Sequence, residues 1–173
     1  MDLSAYFAGF VDGEGCFTVS FSPRSTLLIG WEVRPSFSVS QNADRSEVLL
    51  AIRDHFGCGS IRPDRSDSTL KYEVRNIDDL IGKVIPHFER YPLLSSKKKE
   101  FERFASICKL VQQKAHLTEK GLREIVGLSM EMNASGKRKF GGEQIVERLG
   151  AEVIVSATSN GGNNTKFRPA RKA

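Results

Sequence analysis

The chain has 173 residues, with 26 Lys and Arg against 21 Asp and Glu and only three cysteines, Cys16, Cys58 and Cys108; that is length enough for one buried core and too little for two full domains. An odd number of widely spaced cysteines argues against a disulfide framework or a zinc site, and no apolar run approaches the roughly 18 residues of a membrane span. A soluble protein of a reducing compartment is therefore expected, in the cytoplasm or in the matrix or stroma of a genome-bearing organelle, with no membrane partner.

Charge is less informative than its total suggests. Four basic residues and no acid fall in SNGGNNTKFRPARKA, residues 159–173, so residues 1–158 carry only +1 of the net +5. Bulk charge does not define a nucleic-acid binder; a local arrangement would have to do so.

The stretch YFAGFVDGEGCF, Tyr6 to Phe17, predicts a helix with Phe7, Phe10 and Val11 on one side and Ala8, Gly9, Asp12 and Gly13 on the other. Each interior glycine costs about 1 kcal/mol relative to alanine. Two readings account for it: the helix lies tightly over its own sheet, or a second helix packs on the small side.

Apolar residues then alternate at Phe17, Val19 and Phe21, and again at Val33, Phe37 and Val39 within Trp31 to Gln41, predicting two half-buried strands joined by SPRSTLLIG. Pro35 predicts a bulge or an edge. Asp44 with Glu47 predicts a capping box opening a helix with Val48, Leu49, Ile52 and Phe56 inward, and Gly57 its end. Strands follow at Gly59 to Pro63 and Leu70 to Arg75, the latter with Tyr72 and Val74 inward. Asn76 to Phe88 reads as a capped helix whose last turn Pro86 should disturb. Residues 97–115 form a longer helix with Phe101, Phe104, Cys108 and Val111 on one face, and Thr118 caps a helix to about Asn133. Beyond Lys139 the pattern fades: GGEQIVERLGAEVIV is a short helix or strand, and NGGNNTKFRPARKA is expected to be disordered. The fold class expected is α+β, a four-stranded antiparallel sheet backed by helices, in one domain (1–135) with a basic, weakly patterned extension (136–173).

FAGFVDGEG, Phe7 to Gly15, resembles the signature of LAGLIDADG homing endonucleases. The resemblance continues in SFSVSQNADRSEVLLAIRDHFGCGSI (Ser36–Ile61), YPLLSSKKKEFERF (Tyr91–Phe104) and KAHLTEKGLREIV (Lys114–Val126), and the element order matches the family's αββαββα core. It covers roughly residues 3–133. One copy of the signature implies a homodimer, with Ala8, Gly9, Asp12 and Gly13 in the helix contact across the two-fold axis.

Glu14 falls at the end of the first helix, where backbone carbonyls make a carboxylate unfavourable unless a cation compensates it; an isolated Glu in a Gly-rich turn is otherwise a solvated surface residue. The resemblance implies that Glu14 and the carbonyl of Gly13 bind Mg²⁺, with Mn²⁺ able to substitute. It also implies that Gln41 orients solvent near the attacked phosphate, and that Arg45 and a lysine among Lys97 to Lys99 polarise that solvent. Motif spacing selects Lys97.

The outward strand positions and the adjoining loops hold Ser20, Ser22, Arg24, Thr26, Glu32, Arg34, Ser38, Ser40, Arg62, Asp64, Lys71, Glu73 and Arg75. Such a mixture describes the solvent face of any antiparallel sheet. It also suits a surface that reads base edges, which needs both donors and acceptors, and the resemblance implies that it lies in the major groove of a long pseudo-palindromic DNA site. Lys137, Arg138, Lys139 and the C-terminal segment would add phosphate contacts or solubility. The implied activity is an intron-encoded DNA endonuclease cutting both strands to leave 3′ overhangs. The alternatives are a maturase, binding intron RNA on the same scaffold, and a noncatalytic DNA-binding regulator.

Overall fold

A computed structural model describes residues 2–64, 68–132, 139–147 and 149. The elements in order are α1 (Leu3–Glu14), β1 (Gly15–Pro23), β2 (Trp31–Asn42), α2 (Glu47–Phe56), β3 (Ser60–Pro63), β4 (Thr69–Val74), α3 (Ile77–Asp79), a π-helical turn (Leu80–Val84), α4 (Ile85–Arg90), α5 (Lys97–Gln112) and α6 (Glu119–Met130). The strands form one antiparallel sheet in the order β1-β2-β4-β3.

Alternation sets the two faces. Phe17, Val19, Phe21, Val33, Phe37, Val39, Tyr72 and Val74 are all buried on the helix side. Phe17 anchors the layer: its ring lies 5.3 Å from Phe37 on the neighbouring strand, 5.5 Å from Phe88 of α4, and 5.4 and 5.2 Å from Phe101 and Phe104 of α5. Full burial of each such ring contributes about 1.5–3 kcal/mol, which fixes the helices over the sheet more firmly than any local propensity does. Pro35 sits opposite Val19, outside the stretch 37–42 that pairs with β4. There β2 is an edge, so the missing N–H leaves no ladder bond unmade.

The caps predicted at Asn76 and Thr118 form, and α1 has one at Asp2 that was not predicted. Asp2 accepts from the amides of Ser4 and Ala5, Asn76 from those of Asp78 and Asp79, and Thr118 from that of Gly121. Gly57 ends α2 with φ of +58°. The capping box expected at Asp44 does not form: residues Ala43–Arg45 make a 3₁₀ turn, and α2 begins at Glu47 without a side-chain cap. Pro86 also acts elsewhere than expected. The helix runs on to Arg90, and the accommodation lies before the proline, in the wider π turn, which relieves the clash and the lost hydrogen bond that an α-helical register would impose.

Residues 142–147 are helical, Ile145 and Leu149 are buried in the same core, and the Phe140 ring meets Trp31 edge-on at 5.1 Å. Lys137, Arg138 and the segment NGGNNTKFRPARKA lie outside the described residues. The three cysteines are unpaired, as their spacing predicted. No helix among the described residues is long and apolar enough to cross a membrane.

Candidate functional site

The sheet and α1 meet where the helix gives way to β1. A Cβ on Gly15 would lie 2.4 Å from the Val11 side chain and 2.7 Å from its carbonyl oxygen, so the turn from helix to strand closes only over glycine. Glu14, the residue before it, is exposed and has no hydrogen-bond or ion-pair partner among the described residues. The carbonyl groups of the same helix end are engaged. Lys97, the first residue of α5, sends its Nζ to the carbonyl oxygens of Val11 at 3.0 Å and Gly13 at 3.3 Å. A cation at a helix C-terminus is favoured by the helix dipole. Of the three adjacent lysines Lys97 alone is half-buried; Lys98 and Lys99 are exposed.

A second contact holds α5 there. Asp12 accepts from the amides of Leu94 at 3.1 Å and Ser95 at 3.0 Å, and from the Ser95 hydroxyl at 2.5 Å. Burial pushes the Asp12 carboxyl up, but these hydrogen bonds and the charge of Lys97 outweigh it and hold the group below the usual carboxylate range. Asp12 is thus occupied within its own chain, which sequence reading did not anticipate. Ala8 is likewise buried in its own chain. Gly9 and Gly13 differ: both are exposed, and a Cβ on either would meet nothing within 4 Å. The tight fit over its own sheet therefore does not explain these two glycines. Ala5, Ala8, Gly9 and Asp12 form one wall of an open groove of about 310 Å³, with Arg90 to Leu94 as the other, and Leu94 is almost fully exposed beside it.

Gln41 lies inside β2 opposite Leu70, rather than after the strand, and has the parity of the core-facing residues. It stands two residues past Val39, the partner of Gly15, so the antiparallel register carries it toward the end of α1 on the side of the helices. Its Oε1 accepts from the Asn42 amide at 2.9 Å. Arg45 is not brought in. It sits on the 3₁₀ turn, largely exposed, 3.9 Å from Asp44.

The outer face carries most of the predicted polar residues outward. Ser20, Arg24, Thr26, Arg34, Arg62 and Arg75 are exposed, and Ser22, Glu32, Ser40, Asp64 and Lys71 half-buried. Two expectations need correction. Ser38 and Glu73, paired with each other in the register, are buried at 3% and 7% exposure. They lie mid-sheet, and Glu73 is covered by the arginines that bind it, so neither offers its side chain directly to a ligand. Glu73 Oε2 accepts from Arg62 at 2.9 Å and pairs with Arg75 at 3.0 Å, while Glu32 pairs with Arg24 at 2.8 Å and Arg34 at 2.6 Å. Burial pushes the Glu73 carboxyl up, and the bonds from Arg62 and Arg75 with the charges of Arg75 and Lys71 more than offset it. The hydrogen bond from Arg34 leads those that hold Glu32 below its ordinary range. Burial pushes the Cys16 thiol up, with Lys71 and Lys97 opposing and Glu100 adding to the effect, so charged groups of the outer face and of the start of α5 both bear on the beginning of β1.

The chain belongs to the LAGLIDADG endonuclease family, whose profile matches residues 7–108. It is 35% identical over 147 residues to a probable intron-encoded endonuclease of Neurospora crassa, covering 82% of this chain and 27% of that one. It is 32% identical over 159 residues to the homing endonuclease I-ApeII of Aeropyrum pernix, covering 88% and 93%. Among solved structures, the archaeal intron-encoded homing endonuclease I-Vdi141I, complexed with DNA, superposes with a TM-score of 0.81 at 28% identity over 88% of this chain and 97% of that one. The chain spans about a quarter of the length of the fungal relatives and nearly all of the archaeal one.

Proposed function

We propose that this protein is a site-specific endonuclease of double-stranded DNA, encoded in an intron, which acts as a dimer of identical chains and hydrolyses phosphodiester bonds of a long pseudo-palindromic site to leave 3′ overhangs. The observation that carries this reading is Glu14: an exposed, unpartnered carboxylate at the carbonyl end of α1, where the Val11 and Gly13 carbonyls bind the ammonium of Lys97, and at the corner of a sheet whose outer face bears arginines. The names of the relatives and the DNA-bound neighbour support it.

The donor chemistry suits a hard divalent cation, Mg²⁺ with Mn²⁺ as a substitute: Glu14 offers a free carboxylate, and the Gly13 carbonyl, which already accepts from Lys97 at 3.3 Å, would have to share its second lone pair with the ion. Two oxygens do not complete an octahedron, and among the described residues no three His, Cys, Asp or Glu side chains cluster. Phosphate, water and the partner chain would have to supply the rest. When bound, the ion would activate water and stabilise the leaving 3′ oxygen. Lys97 holds the Gly13 carbonyl in place and concentrates positive charge where a phosphate would sit. Gln41 presents an amide able to orient a water, and Arg45 would have to swing from Asp44 to reach the phosphate.

The dimer reading rests on Gly9 and Gly13, which are open on the side away from the core. Two α1 helices packed there would bring two copies of Glu14 together. Residues 1–135 carry the family core in this proposal, and the basic residues beyond add salt-sensitive phosphate contacts.

The test is incubation of the full chain with a randomised duplex library, once in Mg²⁺ and once in Ca²⁺, followed by sequencing. Cutting at one long site in Mg²⁺, with binding alone in Ca²⁺, is the expected result. Selective association with intron RNA and no cutting in either would overturn it in favour of an RNA-binding splicing role.

A further inference from the structure

On the outer face, Glu32 and Glu73 are each claimed by two arginines in a similar layout along the chain, although Glu32 is 23% exposed and takes one nitrogen from each. Arg34 is two residues along the strand from Glu32, and Arg75 two residues from Glu73. The second arginine arrives from outside the strand, Arg24 from just past the end of β1 and Arg62 from β3. Glu73 is 7% exposed while its partners' side chains remain 45% and 60% exposed, so a buried acid holds two cations that face outward. Arg62 uses both Nε and Nη2 on Oε2 of Glu73, which turns its Nη1 side away from the acid. Arg24 uses Nη1 on Glu32 and Nε on Thr26. Lys71 lies opposite Arg62 in the register and has no hydrogen-bond or ion-pair partner among the described residues.

We propose that Glu73, and in a similar way Glu32, are positioning residues that set pairs of arginines to read bases, so that each half-site of the target carries guanines opposite Arg62 and Arg75 and opposite Arg24 and Arg34. The proposal rests on the reading of this sheet as a DNA-binding face. A guanidinium is a donor only. Guanine alone among the bases shows two acceptors, O6 and N7, on its major-groove edge, whereas adenine sets a donor against the fork. A free arginine reaches phosphate as readily as a base; one tied to a carboxylate, by an edge in Arg62 and by one nitrogen in Arg24, Arg34 and Arg75, has fewer directions open to it. Lys71, a point charge without such a holder, suits a phosphate and carries no sequence information.

The experiment compares base preference in Ca²⁺ for the wild-type chain, Glu73→Gln and Lys71→Ala against a randomised duplex library. The wild type should select guanines in two clusters per half-site. Glu73→Gln should lose preference about tenfold in one cluster, the scale of a bidentate arginine contact, while its affinity for arbitrary duplex rises because a negative charge has gone. Lys71→Ala should weaken binding to all sequences alike and flatten the salt dependence. If Glu73→Gln does not fold, Arg75→Lys replaces it, keeping the charge and losing the fork, and preference should fall only at the base facing Arg75. A wild-type site without guanines in these clusters overturns the proposal. So does unchanged preference in Glu73→Gln or Arg75→Lys, or a base-specific loss in Lys71→Ala. A wild-type chain that selects no duplex at all refutes the DNA reading itself and is distinguishable from these.

Discussion

The end of α1 and the outer face of the sheet treat their acids in opposite ways. On the sheet, Glu32 and Glu73 each hold two arginines, and Glu73 is buried beneath them. At the helix end Glu14 is left alone while the nearby lysine spends its donors on backbone carbonyls. A paired acid organises the cations around it and is not available to a ligand. An exposed acid without a partner stays free to meet a ligand, the role proposed for Glu14. The difference separates a surface whose charged groups hold one another still from a helix end whose acid is left open.

The largest effect that tests this contrast is expected from Glu14→Gln. Cutting should fall on the order of 100- to 1,000-fold, as for loss of one preorganised charge stabiliser, with binding of uncut duplex in Ca²⁺ nearly unchanged; metal-dependent cutting at the wild-type rate would refute the role of Glu14. Gly9→Leu comes next. The chain has room for the side chain and should fold, but self-association should weaken by roughly ten- to a hundredfold as the helices clash, seen as a one-chain mass by sedimentation. A variant that still associates at the wild-type constant would place the dimer contact elsewhere.

Lys97→Met should reduce cutting about tenfold and also lower stability by about 0.3–1 kcal/mol, the usual worth of a cation at a helix C-terminus. Denaturant titration separates the two effects. The smallest expected effect on activity is that of Asp12→Asn, whose cost falls on folding: hydrogen bonds to a charged acceptor are worth about 1.5–3 kcal/mol. Because the folded Asp12 carboxyl titrates below its unfolded value, its contribution is present above about pH 3.9 and is lost as pH falls through the folded value. The stability gap between wild type and Asp12→Asn should therefore close in acid, and a gap independent of pH would show that the capping bonds carry no charge dependence.

Much of this molecule was legible from local pattern. The alternation at Phe17 to Phe21 and Val33 to Val39 assigned both faces of the first hairpin, Gly57 ended α2 in a left-handed turn, and Thr118 capped α6, because each depends on neighbours within a few residues. The choice of Lys97 among three lysines also came from spacing, and it is the one that reaches the end of α1. Where a local rule met a tertiary alternative it failed. Asp44 lost its capping box to a 3₁₀ turn, and Pro86 was absorbed by a π turn upstream of it.

The amino-acid sequence by itself determined the element order, the family signature and the unusual pair of helix-interior glycines, since periodicity and residue type are carried by adjacent positions. Only the tertiary structure decided that Asp12 belongs to the loop before α5, that Glu73 is buried under two arginines, and that a side chain on Gly9 or Gly13 would meet nothing in its own chain. Asp12 bonds across more than eighty positions, Arg62 reaches Glu73 from another strand, and the openness around a glycine is a property of the space that the rest of the chain leaves empty.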